Sequence, residues 1–309
     1  MKARIIRLLL LFSALLIISC DKKSKDGNNS NSAKQPATTR KDNLNISILL
    51  DLSDRIDPVK HANQGMDFYK RDLGYIEAIV KGFETHLRSK PVRQDNDDIQ
   101  VYFEPEPLNS EINSLAKKLK FSFTKDNTTK ASILKISKQY NLASNEIYKL
   151  AIKNSEYIGS DIWGFFKNKV NDYCIKSNHR NILFILTDGY VYHRYSKFTE
   201  GSRSSYITPE FLKALKLNTS SFQTVMMRND YGFVKANDNL SDLEVIVLGV
   251  NPAKGNPFEG DVINEYWVKW LKEMGVKQPI MKPIPADLPS NLESIIQSHI
   301  NRNKIHVDR

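Results

Sequence analysis

Two apolar runs in this chain each end in an aspartate. Asn45-Ile-Ser-Ile-Leu-Leu50 runs into Asp51-Leu-Ser53-Asp54-Arg55, and Asn181-Ile-Leu-Phe-Ile-Leu186 runs into Thr187-Asp188-Gly189. Between them, Gly159-Ser160-Asp161 precedes Ile162-Trp163-Gly164. A short apolar run without alternation suits a strand buried on both faces. Open α/β sheets bind ligands at the carboxyl ends of such strands. Hydroxyls and carboxylates gathered there, without His or Cys, suit Mg²⁺, which takes octahedral oxygen at about 2.0–2.1 Å and keeps waters; Mn²⁺ or Ca²⁺ would substitute. The candidate ligands are Asp51, Ser53, Ser160 and Asp188, with Asp54 and Asp161 as further oxygen donors. Each also has a plainer use. Asp51 and Ser53 suit a cap or turn, Asp188-Gly189 a turn, and Asp161 a helix cap. Tyr190, Tyr192, His193 and Arg194 follow Asp188 directly. Exposed aromatics and Arg beside a binding edge suit partner recognition, and Arg55 joins that set; an ordinary solvated insertion is the alternative. No nucleophile stands beside His193. Neither a Gly-rich phosphate loop nor a Gly-x-Ser-x-Gly elbow is present, so no catalytic residue is assigned.

The surrounding pattern supplies the elements that would position these groups. Tyr69, Leu73, Ile76, Val80, Phe83 and Leu87 form a helical stripe. Ile99, Val101 and Phe103 alternate as a second strand that Pro105 and Pro107 end. Leu108, Ile112, Leu115 and Leu119 predict another helix, and 120–124 a short edge strand. Residues 131–140 and 144–153 read as two helices broken near Asn141. Ile162, Phe166, Val170 and Tyr173 predict the buried face of a helix. Residues 190–206 form a polar, aromatic-rich insertion without period, and Thr208-Pro209-Glu210 opens a helix. Leu243 to Gly249 is a third buried strand; Val262, Ile263, Tyr266, Trp267, Trp270 and Met274 line a helix. Residues 279–283 suit a last strand. Ser290 with Glu293 forms a capping box before a helix with Leu292, Ile295 and Ile296 inward. Buried strands alternating with amphipathic helices predict an α/β fold, a doubly wound, mainly parallel sheet flanked by helices.

Taken together, the Asp51-Leu52-Ser53-Asp54-Arg55, Gly159-Ser160-Asp161 and Thr187-Asp188-Gly189 segments resemble those of a von Willebrand factor A domain, across residues 43–300. That family carries a metal-ion-dependent adhesion site: an Asp-x-Ser-x-Ser loop, a Thr from a Gly-x-Thr-like loop, and a later Asp. The resemblance implies Asp51 and Ser53 in the first loop, Ser160 in place of the threonine, and Asp188 as the distal carboxylate. Arg55 departs from it, standing where the second serine belongs. A guanidinium cannot ligate a cation. Either Arg55 swings outward and Asp54 or Asp161 supplies an oxygen, or it bridges Asp51 and Asp188 and replaces the metal.

The amino terminus reads as an address. Lys2, Arg4 and Arg7 precede an apolar run, Leu8 to Ser19, too short to span a bilayer, which stops at Cys20. This resembles a bacterial lipoprotein signal over residues 1–19, cleaved to leave a lipidated Cys20; an ordinary signal peptide or an uncleaved anchor are the alternatives. Residues 20–43 are too polar to bury a core and read as a disordered tether, with the globular domain at 44–309. This layout predicts a bacterial cell-envelope protein held at a membrane surface by its lipid. Removing the three leading cations reduces the formal charge of +10 to +7, scattered without a dense basic block, which argues against nucleic-acid binding. Two cysteines, Cys20 and Cys174, exclude a disulfide framework, and Cys174 reads as a small buried residue.

These features predict a membrane-tethered module that recognises a protein or glycan through the sheet edge. The resemblance implies that an acidic group of the partner completes a Mg²⁺ shell. The competing classes are a metal-dependent phosphoester hydrolase of the envelope and a metal-free scaffold.

Overall fold

The computed structural model describes residues 42–63, 65–154, 157, 159–277 and 284–302. The expected signal peptide, Cys20, nearly all of the expected tether and the strand expected at 279–283 lie outside the described residues.

Among the described residues, the largest sheet has six strands: β1 (Asn43–Leu50), β2 (Asn96–Tyr102), β3 (Phe121–Thr124), β4 (His179–Leu186), β5 (Leu243–Val250) and β6 (Ile284–Pro285). Their order is β6-β5-β4-β1-β2-β3. Every pairing is parallel except β2 with β3, where the edge strand runs back. This is the doubly wound α/β order, with its reversal between β1 and β4. β1 and β4 pair along their whole length, from Asn43 opposite His179 to Leu50 opposite Leu186. The two apolar runs therefore end side by side.

Helices cover both faces. On one, α1 (Phe68–Arg88), α2 (Ser110–Lys117), α3 (Lys130–Asn154) and α9 (Pro289–Asn301) enclose Ile46, Ile48 and Leu50 of β1. On the other, α4 (Ile162–Asn168), α5 (Val170–Cys174), α6 (Pro209–Ala214), α7 (Phe222–Asn229) and α8 (Glu259–Glu273) enclose Leu49, Leu183 and Ile185. Trp267 and Trp270 are buried in that second layer, as is the free thiol of Cys174. Thr208 caps α6, its side chain accepting from Phe211 N–H, with Pro209 in the first turn.

Some expected boundaries are corrected. α3 runs without a break through Asn141, which is exposed and disturbs nothing. α9 begins after Leu288 with Pro289 in its first turn and has no side-chain cap, so Ser290 and Glu293 form no capping box. Ile295 is on its open side. Leu108 precedes α2 and is 79% exposed, and Tyr173 faces outward. The insertion at 190–206 has structure: Tyr192–His193 pairs with Gly159–Ser160, and Thr199–Glu200 pairs with Arg203–Ser204.

At the amino edge of the sheet the end of α9 is fastened by charge. Arg180 donates Nε and Nη2 to the two carboxylate oxygens of Glu244 at 3.0 and 2.8 Å. It also donates to the carbonyls of His299 and Ile300 at 2.6 and 2.7 Å. Burial alone would raise the Glu244 carboxyl, but hydrogen bonds from His299 and Arg180 and the charge of Arg302 hold it well below the usual carboxylate range. A carboxylate held low contributes stability above its unfolded value and loses it as pH falls. We expect Glu244→Gln to cost about 3 kcal/mol at pH 7 by urea denaturation, because it leaves Arg180 buried without its partner. The gap to wild type should narrow below about pH 4; a gap that does not depend on pH would rule out this origin.

Candidate functional site

Asp51 is the first residue beyond β1, and its N–H still donates to Leu186 O of β4 at 3.1 Å. Its Oδ1 accepts Ser53 N–H at 2.9 Å, turning the chain, and its Oδ2 accepts the Thr187 hydroxyl at 2.9 Å. The carboxylate thus staples the ends of β1 and β4 together. Asp188 follows Thr187; its carbonyl accepts Asn251 N–H beyond β5, and its Oδ1 accepts Tyr190 N–H at 3.0 Å. Gly189 makes the next turn possible. It has φ +96°, and a Cβ there would meet Ile263 Cγ2 at 2.9 Å and Val250 at 3.2 Å.

The third loop reaches the same edge by two backbone links. Gly159–Ser160 pairs with Tyr192–His193 just beyond Asp188, and Asp161 N–H donates to Glu104 O beyond β2 at 2.8 Å. The Ser160 hydroxyl is buried, yet its oxygen has no hydrogen-bond partner. Asp161 is a helix cap. Its Oδ1 accepts Gly164 N–H and the Ser196 hydroxyl at 2.8 and 2.6 Å, and its Oδ2 lies 3.3 Å from His193 Nδ1. Of its two expected uses, the cap is the one its Oδ1 fills. Asp54 is half exposed in the 3₁₀ turn Asp54–Ile56, loosely paired with Lys60 and His61 at 3.9 and 3.8 Å.

Arg55 takes neither of the expected courses. It is buried and turns inward, where Nη2 donates to Asp72 Oδ2 on α1 at 2.6 Å and to Leu186 O at 2.9 Å. Nε donates to Asp51 O at 3.2 Å and lies 3.5 Å from Asp51 Oδ2. The Tyr148 hydroxyl of α3 donates to the same Asp72 oxygen at 2.8 Å. Burial and then the charge of Asp51 push the half-buried Asp188 carboxyl up to about 7, against the pull of Arg55. Burial raises Asp72 as well, opposed by Arg55 and Tyr148. Three carboxyls face one guanidinium, so their full ionisation would leave two negative charges in a poorly solvated place.

Among the described residues, no three of His, Cys, Asp and Glu converge to hold an ion by themselves. A cation here would need hydroxyl oxygens too. The unpartnered Ser160 Oγ, the excess negative charge and an all-oxygen donor set fit a hard divalent ion that retains waters. Ser53, Ser160 and Asp188 are the residues that would hold it, with Asp51 beside them.

Three of the expected partner contacts are corrected. Arg55 is buried. Tyr190 anchors the insertion, its hydroxyl donating to Glu259 and accepting Ala253 N–H at 2.8 Å. His193 is buried against Asp161 and Tyr195. Tyr192 and Arg194 are exposed. Sequence reading missed Thr187 and Asp72. Asp72 had a signal: it lies three residues after Tyr69 and four before Ile76, a charge on the apolar stripe of a helix.

No family model matches the sequence, and no curated protein matches it. Solved structures do. An aerotolerance-related membrane protein from Bacteroides fragilis, carrying multiple mutations to serine, superposes at TM-score 0.39 with 14% identity over 84% of this chain and 98% of that one. BatB from Bacteroides thetaiotaomicron superposes at 0.35 with 14% identity, over 83% and 97% of the two chains. Proximal thread matrix protein 1 from the mussel byssus superposes at 0.36 with 11% identity over 85% of this chain, which spans about half (48%) of that protein. The α/β class is read from the strand order itself.

Gly189→Ala tests the turn that presents Asp188. Its positive φ and the contact with Ile263 should together cost about 1–3 kcal/mol in urea denaturation. An alanine variant as stable as wild type would show that the turn has room to relax.

Proposed function

We propose that this chain is a binding module that docks a protein or glycan partner on the carboxyl edge of its sheet, around a divalent cation such as Mg²⁺. A carboxylate of the partner would complete the shell, as the family resemblance implies. One observation carries the docking step: large apolar side chains are exposed around this edge, with Val59 87%, Leu108 79% and Tyr195 85% exposed. They belong to one neighbourhood. The turn holding Val59 meets Tyr157, whose ring lies under Lys60 Nζ at 4.9 Å. Tyr157, Leu108 and Gly159 line one small cavity with Leu50 and Leu52, and Gly159 pairs with His193, next to Tyr192 and Tyr195. Apolar and aromatic side chains around a fixed polar centre are what specific interfaces use.

Binding is favoured over turnover by how the acidic groups are engaged. Asp51 accepts internal hydrogen bonds at both oxygens and Asp161 accepts two at Oδ1, so both carboxylates are engaged in holding the loops together. The proposal includes an anchor on Cys20. The chain enters the sheet at Asn43, and β1 carries it across to Asp51, roughly 26 Å away at about 3.3 Å per residue. A module joined to a membrane through its first strand has its binding edge at the far end of that strand.

A photo-crosslinking residue placed at 195, at 108 and, as a control, at exposed position 295 of α9 tests this in cells. We expect one discrete adduct from 195 and 108, lost with chelator or in Asp188→Asn, and none from 295. Equal adducts at all three positions, or adducts indifferent to chelator and to Asp188→Asn, would reject the docking edge or its cation respectively.

A further inference from the structure

Arg55 poses a physical problem for a cation site, since its guanidinium stands one turn from Ser53 and 3.5 Å from Asp51 Oδ2. The structure also holds an answer to it. The closest contact of Arg55 is with Asp72 at 2.6 Å, and both side chains are at least 95% buried. Asp72 comes from α1, outside all three loops of the site, and Tyr148 from α3 holds the same oxygen. Leu186 O and Asp51 O take two further guanidinium hydrogen bonds, so the group cannot rotate toward the strand ends without breaking them.

We infer that Asp72 is a charge-balancing residue of the cation site: by pairing with Arg55 inside the protein it keeps the guanidinium from repelling a divalent ion bound by Ser53, Ser160 and Asp188. This rests on the reading that the edge takes a cation, and adds the residue that makes it compatible with Arg55. Opposite charges 2.6 Å apart act on a third charge several ångströms away as a weak dipole. An unpaired guanidinium would act as a full like charge. With a cation bound and all three carboxyls ionised, Asp51, Asp72 and Asp188 outweigh Arg55 by two charges, the charge of one divalent ion. Without Asp72 the excess is one. Asp72 touches no expected ligand, so it is a positioning residue, and its effect should be felt in cation affinity.

Mn²⁺ titration by calorimetry, on the full chain freed of metal, decides the question, with circular dichroism to confirm folding. We compare wild type, Asp72→Asn and the double variant Arg55→Met/Asp72→Asn. Wild type and the double variant should bind Mn²⁺ within about threefold of each other, since a self-neutralised pair has been exchanged for a neutral one. Asp72→Asn should bind about a hundredfold more weakly, because it releases the Arg55 charge. Binding by Asp72→Asn equal to wild type would overturn the inference. So would a double variant that binds far more tightly than wild type, or that alone binds, since Arg55 would then be felt at the site despite Asp72. Where Asp72→Asn does not fold, the double variant against wild type decides by itself. If all the folded proteins fail to bind Mn²⁺, the cation reading falls and this inference with it.

Discussion

The hydrogen bond from Thr187 to Asp51 joins the place where, among the described strands, the chain reverses its direction of winding. β1 and β4 are neighbours in space though Leu44 and its partner Arg180 stand at opposite ends of a long stretch of chain, and their partnership is what makes the fold doubly wound. Both strands are apolar to their last residue and buried on both faces, so hydrophobic contact alone would tolerate sliding along the shared axis. The polar ends remove that freedom. A shift by one residue would separate Asp51 from Thr187, and Arg55 from Leu186 O, leaving buried donors and a buried charge unmet.

Both edges of the sheet use buried ions in this way. Arg180 and Glu244 tie β4 to β5 and to the end of α9 at the amino edge; Lys90, His86 and Asp97 gather beside the start of β1. Such pairs stabilise little compared with well-packed apolar side chains of similar size, because desolvation offsets attraction. They do penalise every arrangement that parts them. The two edges differ in one respect. At the amino edge Glu244 and Asp97 are paired and sit below their ordinary range, while burial raises Asp95 beside them. At the carboxyl edge Asp72 and Asp188 are raised and the Ser160 oxygen has no partner. The cluster at the carboxyl edge carries more carboxyls than cations.

How far the sequence could be read follows from where the determining contacts lie. The strands announced themselves because burial on both faces leaves no room for polar residues, and α1 because its stripe at Tyr69, Leu73 and Ile76 has one period. The strand-end positions of Asp51 and Asp188 were legible for the same reason. Local preference disfavours Asn inside a helix and predicts a break in α3 near Asn141, but Asn141 lies on the open side and the buried Ile136, Tyr140, Ile147 and Tyr148 carry the helix across it. Ser290 looked like a cap by spacing; the chain instead enters α9 at Pro289, which packs close to Gly74 of α1. The direction of Arg55 was not legible at all. It depends on Asp72, seventeen residues away on another element, and only the assembled layer shows that the two meet.

The insertion at 190–206 shows how a stiff site and an adaptable surface can share one edge. Its root is pinned: Tyr190 to Glu259 and Ala253, Val191 to Ile207, and His193 to Asp161. Its outer side chains, Tyr192, Arg194 and Tyr195, are free of those restraints and exposed. The pinned residues include the cap of α4 and the strand beside Ser160, so the root of the insertion and the polar centre share their supports. A partner resting on the rim and a group bound at the centre would therefore favour the same arrangement of the Gly159–His193 pairing, and each would lower the conformational cost of the other's binding.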